Sequence, residues 1–331
     1  MARRGGRSAA VEIGYKLSSE EFPPSALVGY AGRAEESGFT FALISDHYHP
    51  WIDRQGQSPF VWGVLGGISH ATERLRVGTG VTCPLIRIHP AIVAQAAATA
   101  AAMMPGRFFL GVGTGENLNE HIVGRRWPPA DVRREMLEEA VAVVRKLWQG
   151  GLQDFRGTHY TVENARLYTL PESPPDIMVA AAGPPAAELA GRIGDGLVTT
   201  SPDADLVRTF EAHGGHGKPR YAEMSVCVAD DEKTARRIAR DWWPLPGGAL
   251  NAELPLPAHF EYAAKLVTEE TIATSVVCGR DPRRHLEEID KHVDAGYTHV
   301  CVHQIGPDQD AMLSFYAREV IPAVAGRRRA A

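Results

Sequence analysis

Eight short apolar segments, each followed by a segment of helical character, recur along the 331-residue chain. We predict strands at 11–16, 40–45, 75–79, 108–112, 177–181, 196–200, 223–229 and 298–303. Alternating strands and helices predict an α/β fold, and eight such units are what a closed (β/α)8 TIM barrel requires. An open doubly wound sheet is the competing fold, which periodicity does not exclude.

The boundaries of this fold follow from breaks in the pattern. A stretch rich in proline and glycine at 244–257 predicts an insertion between strands seven and eight. We expect one domain over 11–324, with basic, flexible tails at 1–10 and 325–331.

Composition limits the classes of partner. The chain is 44% hydrophobic and 23% charged, which is typical of a globular protein, and its net charge of -5 argues against a broad nucleic-acid surface. No apolar run approaches membrane-spanning length, and the basic N-terminus lacks the apolar h-region of a secretory signal. Four cysteines without metal-ligand spacing favour buried thiols in a cytoplasmic protein. We expect no nucleic-acid partner and no membrane association.

The segment at 41–51 is an apolar strand that runs directly into polar and aromatic residues. In a parallel barrel the loops after the strands form the active-site mouth. A histidine side chain has an unperturbed pKa near neutrality, and the adjacent Asp46 could orient His47, so His47 is a candidate acid or base; a structural histidine is the alternative. His47 and His49 could also share a metal ion, but strands five and six end without further ligands, and we predict no metal.

Two glycine motifs have different meanings. The run at 111–115 lacks the full G-x-G-x-x-G spacing and belongs to the fourth strand, so we expect these glycines to let the backbone approach a flat ring. Gly183 precedes Pro184 and Pro185 at a helix start, where free N–H groups and the positive helix end favour phosphate. An ordinary turn would have a similar sequence.

The candidate site residues together resemble the luciferase-like barrel superfamily, and the most specific motifs lie at 45–51, 111–120 and 190–196. Within it they resemble the deazaflavin branch, whose dehydrogenases use coenzyme F420 and whose best-known members oxidise glucose 6-phosphate. The resemblance spans Gly14 to His303. It implies coenzyme F420 in the barrel mouth, with FMN less favoured, a small-molecule substrate and a homodimer.

The resemblance also implies residue roles. His47 would take the substrate proton, Glu116 would manage protonation beside the cofactor, and Trp51 would hold charge and shape in the transition state. The cofactor-binding residues would be Asp46, Gly80, Val81, Cys83, Asn119, Ala182 and Gly183, with a cis peptide between Gly80 and Val81. The substrate-binding residues would be Glu20, Ser201, Asp203, Tyr262 and His303.

This sequence differs from the deazaflavin branch at the positions that bind the substrate phosphate, and the difference limits the class of substrate. Where basic residues grip the sugar phosphate in that branch, the positions that align here are Asp203, Tyr262 and Glu288. An acid in place of a cation repels a phosphate dianion, so we predict a non-phosphorylated alcohol or sugar-like compound. Arg283 and Arg284 leave anion binding open.

Four functions compete. Oxidation of a CH–OH group by hydride transfer is the leading interpretation, and an F420H2-dependent reductase of an activated C=C or C=O would share every cofactor residue. An FMN-dependent monooxygenase is disfavoured by Asp46, His47 and Glu116. A cofactor-binding partner subunit without catalysis would be expected to lack His47 or Glu116, and both are present.

Overall fold

Eight parallel strands close into a barrel in the computed structural model, which describes residues 11–243 and 248–330. The strands are β1 (Glu12–Leu17), β2 (Phe41–Ile44), β3 (Arg76–Thr79), β4 (Phe108–Val112), β5 (Gln153–Arg156), β6 (Thr161–Ala165), β7 (Ile177–Ala180), β8 (Gly196–Thr199), β9 (Arg220–Cys227), β10 (Val277–Cys278) and β11 (His299–Gln304). The barrel order is β1, β2, β3, β4, β7, β8, β9 and β11, and pairing of β11 with β1 closes it. The TIM-barrel prediction is confirmed.

Helices connect the strands and form the outer layer. They are α1 (Pro24–Glu36), α2 (Val61–Ala71), α3 (Pro90–Met103), α4 (Asn117–Glu120), α5 (Ala130–Leu147), α6 (Pro184–Ile193), α7 (Ala204–Phe210), α8 (Glu232–Trp242), α9 (Leu250–Glu253), α10 (Pro257–Ala264), α11 (Glu269–Ser275), α12 (Pro282–Asp294), α13 (Gln309–Phe315) and α14 (Ile321–Ala330). The alanine-rich α3 buries most of its methyl groups, and these small side chains allow it to pack closely against α5, α2 and β4. No helix in the described ranges is both long and apolar enough to cross a bilayer.

The barrel interior is filled by aromatic rings that occupy the space left by glycines. A Cβ at Gly14 would lie 2.3 Å from the ring of Phe41, and one at Gly78 would lie 2.1 Å from the ring of Phe109. Each glycine therefore accommodates a ring from a neighbouring strand. Tyr221 packs on both rings, so the interior is a packed core rather than a channel.

The insertion lies between β9 and β11, where it contributes α9, α10, α11 and the short β10, which pairs with β9. Residues 244–247 of the expected 244–257 stretch lie outside the described residues. Glu253 at the end of α9 ties the insertion to the barrel. Its carboxylate accepts hydrogen bonds from Arg133 at 3.0 Å and Trp127 at 3.1 Å, and its backbone carbonyl accepts one from Asn117 at 3.0 Å.

Two local features differ from the sequence-based expectations. The antiparallel hairpin β5–β6 went unrecognised, because half of its residues face solvent and its strands carry few apolar residues. Residues 325–330, expected as a loose tail, continue α14, while the tail at 1–10 lies outside the described residues.

Candidate active site

The carboxyl ends of the barrel strands place a group of polar and aromatic side chains at one mouth. The loop after β2 supplies Asp46, His47 and Trp51, and the turn after β1 supplies Glu20. All four are less than 9% exposed. The structure thus brings together residues from two neighbouring strand ends, as the barrel prediction requires.

His47 and Glu20 form a buried pair. The Nε2 atom of His47 lies 3.3 Å from Oε1 of Glu20, and its Nδ1 lies 3.1 Å from the backbone carbonyl of His49. Because a carbonyl can only accept, Nδ1 carries a proton and donates it to His49. Nε2 is then the ring nitrogen at which a proton can be gained or lost, and it faces a carboxylate.

The environment keeps Glu20 ionised. Burial raises the pKa of Glu20, but the charges of His47 and Lys16 and a hydrogen bond from Ser45 outweigh it, so the pKa is lowered. The Ser45 hydroxyl donates to Oε2 at 2.5 Å, and that of Ser18 donates to the same oxygen at 3.1 Å. A proton that arrives at Nε2 of His47 is therefore stabilised by a fixed anion.

Asp46 points away from the His47–Glu20 pair. Its two carboxylate oxygens accept from the Thr82 hydroxyl and from the Arg87 guanidinium, each at 2.8 Å. Arg87 also lies 3.5 Å from Glu120, whose pKa is raised by burial. Arg87 therefore links the ends of β2 and β4 through two buried carboxylates.

Asn119 fixes the β2 loop relative to Glu116. Its side-chain oxygen accepts from the backbone N–H groups of Tyr48 at 2.8 Å and His49 at 3.2 Å. Its amide nitrogen donates to Oε2 of Glu116 at 3.2 Å. The expected cofactor contact of Asn119 stays a prediction, and this side chain clearly positions the loop that carries His47.

An aromatic wall borders His47. The centroids of the Trp51 and His47 rings lie 4.9 Å apart. The Trp51 ring also packs edge-on against Phe260 of α10 and Trp243, with centroid distances of 5.2 Å and 6.4 Å. Both partners come from the segment after β9. Sequence reasoning singled out Trp51 but missed Phe260 and Trp243, because their proximity depends on how the insertion folds back.

The glycines at 111–115 bring the end of β4 close to the end of β3. A Cβ at Gly111 would lie 1.9 Å from the Thr79 carbonyl, one at Gly113 would lie 2.8 Å from Val81, and one at Gly115 would lie 2.5 Å from the Cys83 sulfur. These glycines therefore accommodate β3 and the segment that follows it, and their approach to a flat ring stays a prediction. Burial raises the pKa of the Cys83 thiol, so the thiol stays protonated at neutral pH, and its expected cofactor contact stays a prediction.

The Gly80–Val81 peptide is cis, as expected, and the Gly80 carbonyl accepts a hydrogen bond from a buried lysine. The Lys16 ammonium donates to the Gly80 oxygen at 2.9 Å and lies 3.0 Å from Oε2 of Glu223. Oε1 of Glu223 lies 3.3 Å from Nδ1 of His303. Lys16, Glu223 and His303 come from β1, β9 and β11, so a charged layer closes the barrel beneath the mouth.

His303 lies in this charged layer and is fully enclosed. Its Nε2 is 3.9 Å from Glu21, and Trp243 packs edge-on against its ring at 4.5 Å. Burial lowers the pKa of His303, but the two carboxylates outweigh burial and raise it to about 9. A substrate contact expected for His303 finds no exposed face on this ring.

Helix α6 begins after Gly183, where a Cβ would meet open space. Ala182 is exposed and Gly183 is half-buried at this rim. The expectation of several free N–H groups was wrong, because Pro184 and Pro185 have none and Ala186 donates to the Gly183 carbonyl at 3.1 Å. An anion here would rely on the positive helix end and on N–H groups before Pro184.

Ser201, Asp203 and Tyr262, the remaining expected substrate residues, are either exposed or engaged in other contacts. Ser201 is exposed after β8, and the Asp203 carboxylate caps α7 by accepting from the N–H groups of Asp205 at 2.8 Å and Leu206 at 3.1 Å. Tyr262 is 66% exposed and lies two residues after Phe260, about 200° around α10. The structure does not bring Tyr262 to the Trp51 wall.

The arginines that left anion binding open are paired with acids. Arg283 lies 2.9 Å from Asp281, and Arg284 lies 3.2 Å from Glu232 and donates to the Cys278 carbonyl at 3.0 Å. Glu288 pairs with Lys291 at 2.7 Å. Within residues 11–243 and 248–330, no group of three or more His, Cys, Asp or Glu side chains is arranged to hold a metal ion.

The sequence did carry a signal for the residues that were missed. Lys16 and Glu223 are charged residues that lie between apolar residues inside buried strands, and such residues are rarely buried unless paired. Arg87 stands between two isoleucines in the loop after β3. Charged side chains within these segments therefore marked this site, although the sequence does not show that their partners lie on other strands or in other loops.

Comparisons with known proteins agree with this geometry. An F420-dependent glucose-6-phosphate dehydrogenase of Microbacterium testaceum is 37% identical over 96% of this chain and 98% of its own length. An F420-dependent hydroxymycolic acid dehydrogenase of Mycobacterium tuberculosis is 38% identical over 94% of this chain and 87% of its own length.

Solved structures give the same grouping. An F420-dependent secondary alcohol dehydrogenase in complex with an F420-acetone adduct superposes with a TM-score of 0.88 and 32% identity, over 95% of this chain and 99% of that one. The family model described as luciferase-like monooxygenase matches residues 4–299. The chain therefore belongs to the luciferase-like monooxygenase family.

Proposed function

We propose that this chain is an F420-dependent oxidoreductase that transfers a hydride between the CH–OH carbon of a non-phosphorylated alcohol or sugar-like substrate and the deazaflavin. The buried His47–Glu20 pair beside Trp51 is the observation that carries the proposal. Relatives named as F420-dependent dehydrogenases of glucose 6-phosphate, of hydroxymycolic acid and of a secondary alcohol support the reaction class.

The residues at the mouth fit such a cofactor. The open space at Gly183, at the positive end of the ten-residue α6, suits a phosphate group. The half-buried Val81 and the Gly80 carbonyl held by Lys16 offer a fixed support for a flat ring. When bound, the deazaflavin supplies hydride acceptance or donation, which leaves one proton for the protein to manage.

His47 manages that proton in this proposal. The substrate hydroxyl gives its proton to Nε2, the ring nitrogen that does not donate to the His49 carbonyl. Glu20 stabilises the resulting imidazolium at 3.3 Å, and Trp51 walls the pair off from water. Glu116 accepts a hydrogen bond from Asn119, and in this proposal it exchanges the proton that the cofactor gains or loses. In reverse, the same atoms serve a reductase.

The surrounding charges favour a substrate without phosphate. The Asp203 carboxylate caps α7. Arg283 forms an ion pair with Asp281, and Arg284 forms one with Glu232. A phosphate dianion would have to displace these acids and would meet the carboxylate of Asp203 at the end of β8. Dimer formation and a cytoplasmic location remain predictions.

Parallel titrations of the apo-protein with coenzyme F420 and with FMN test the cofactor assignment. Binding of F420 at least tenfold tighter than FMN is expected. Binding of FMN alone would point to the monooxygenase chemistry of other luciferase-like proteins. A panel of alcohols, sugars and sugar phosphates, run in both directions, then tests the substrate class, with glucose 6-phosphate predicted to be a poor substrate.

A further inference from the structure

We propose that Gln55 is a positioning residue for the substrate: its buried side-chain amide joins the loop that carries Trp51 to the end of α8, and thereby fixes the aromatic wall beside His47. The substrate half of this inference rests on the proposed function. The structural half concerns the protein without substrate or cofactor.

The Gln55 amide forms hydrogen bonds on both of its sides. Its oxygen accepts from the backbone N–H groups of Trp51 at 2.9 Å and Ile52 at 3.4 Å, and its nitrogen donates to the backbone carbonyl of Trp242 at 3.2 Å. The side chain is buried, so these backbone groups depend on Gln55 rather than on water. Gln55 therefore joins two segments that are 187 positions apart in sequence.

Two neighbours of Gln55 contact the same part of the chain, but at the protein surface. The backbone N–H of Asp53 donates to Oε1 of Glu261 in α10 at 3.1 Å, and Arg54 lies 3.3 Å from Asp241 of α8. Both side chains of the second pair are exposed, and ion pairs in water contribute little. We therefore expect the buried Gln55 amide to hold the loop and the end of α8 together.

The segment that Gln55 holds carries one ring of the aromatic wall. Trp243 directly follows Trp242, and its ring packs edge-on against the Trp51 ring with a centroid distance of 6.4 Å. The Trp51 ring in turn lies 4.9 Å from the His47 ring. A substrate hydroxyl that reaches the His47 imidazole has to lie beside this wall, so the position of Trp51 sets the room that the substrate has.

The contacts of Gln55 also predict which kinetic constant depends on it. Its hydrogen bonds described above go to backbone groups of the loop and of α8, and not to His47 or Glu20. Its loss should therefore loosen the wall and leave the acid–base pair in place. A change that removes binding shared by the ground state and the transition state raises KM and leaves kcat unchanged.

Two substitutions separate the two sides of the amide. Methionine at position 55 has a similar length and forms neither kind of hydrogen bond. Glutamate still accepts from the Trp51 N–H but has no N–H to donate to the Trp242 carbonyl. The matched control is Gln153→Met in the β5–β6 hairpin, because Gln153 also donates to a backbone carbonyl, that of Gly150 at 2.7 Å.

Fluorine-19 NMR of the apo-protein labelled with 5-fluorotryptophan follows the wall. The chain has six tryptophans, and the signals lost in Trp51→Phe and in Trp243→Phe assign two of them. The Trp243 signal is expected to move by more than a linewidth in Gln55→Met and in Gln55→Glu, and the Trp51 signal is expected to move in Gln55→Met. Both signals should keep their positions in Gln153→Met.

Steady-state kinetics uses the member of the alcohol and sugar panel that the wild-type enzyme oxidises fastest. We expect KM to rise at least about fivefold in Gln55→Met, with kcat within about twofold of wild type and the Kd for coenzyme F420 unchanged. Unmoved Trp51 and Trp243 signals in folded Gln55→Met would overturn the proposal, as would a fall in kcat at unchanged KM. If Gln55→Met does not fold, the Trp243 signal and the KM of Gln55→Glu decide.

The two proposals can fail separately. If the wild-type protein does not bind F420 and turns over no member of the panel in either direction, the proposed function fails, while the fluorine signals still decide whether Gln55 fixes the wall. If turnover occurs but neither the signals nor KM change in the Gln55 variants, only the role of Gln55 fails. Moved signals with an unchanged KM would overturn its substrate half.

Discussion

Nε2 of His47 lies 3.3 Å from Oε1 of Glu20, and both side chains are buried at the carboxyl end of the barrel. The carbonyl of His49 holds the other ring nitrogen. This relationship orients one imidazole edge toward a single anion, and it is the arrangement that an acid–base group needs.

Removal of the His47 imidazole is predicted to lower kcat for alcohol oxidation by about 10²- to 10⁴-fold, because general acid–base catalysis contributes on that order. His47→Ala should leave the Kd for coenzyme F420 within about threefold of wild type, since the proton step follows binding. Glu20→Gln should reduce kcat in the same direction. His216→Ala, an exposed histidine, is the control. Wild-type turnover in His47→Ala would rule out the proposed base.

The charge of His303 predicts a pH dependence of stability. Its pKa is raised from 6.5 to about 9 in the folded protein, so its contribution is complete below pH 6.5 and is lost as the pH rises through 9. Between these values this group should make the free energy of unfolding fall by about 1.4 kcal/mol per pH unit. Urea unfolding of wild type and His303→Gln across pH 6–10 measures the difference. Parallel curves for the two proteins would contradict the buried imidazolium.

Phe260 and Tyr262 lie on opposite sides of α10: Phe260 is buried against Trp51, and Tyr262 is exposed to solvent. Phe260→Ala removes the ring that packs on Trp51 and is predicted to raise KM for the substrate and to destabilise the protein by about 3 kcal/mol, the cost of deleting a buried aromatic side chain. Tyr262→Ala, at a 66% exposed position, should change stability by less than about 0.5 kcal/mol and leave KM unchanged. A rise in KM for Tyr262→Ala alone would restore the original substrate assignment.

Two glycine substitutions test the packing of the barrel. Gly78→Ala places a methyl group 2.1 Å from the ring of Phe109 and is predicted to destabilise the protein by about 1–3 kcal/mol, the usual cost of overpacking. Gly66→Ala in α2 has no neighbour within 4 Å and should stabilise the helix by about 0.5–1 kcal/mol. Thermal unfolding measures both. Equal effects of the two changes would contradict the described interior.

The sequence predicted the barrel well because buried parallel strands are continuous apolar runs, and β4 begins and ends where expected. It did not predict the β5–β6 hairpin, whose strands are short and face solvent. Positions at strand ends were predictable, since topology alone brings them together. Pairs such as Lys16 with Glu223 were not, because a charged residue in a strand does not indicate which strand carries its partner.

The sequence also could not show which residues of the insertion lie at the barrel mouth and which lie on the protein surface. Trp51 and Phe260 are 209 positions apart and meet only because the segment after β9 folds back over the β2 loop. Tyr262 lies on the same helix as Phe260 but on its exposed side. The side of a helix on which a residue lies follows from its position in the helical turn, and an alignment to relatives does not show it.

The most direct test of the central claim is the absorbance of oxidised coenzyme F420 after anaerobic mixing with the enzyme and one substrate at a time. We predict loss of that absorbance with a non-phosphorylated secondary alcohol or sugar, abolished in His47→Ala, and little change with glucose 6-phosphate. No loss with any alcohol or sugar, together with no oxidation of reduced F420 by the matching carbonyl compounds, would contradict the account. Fast loss with glucose 6-phosphate would contradict the substrate class.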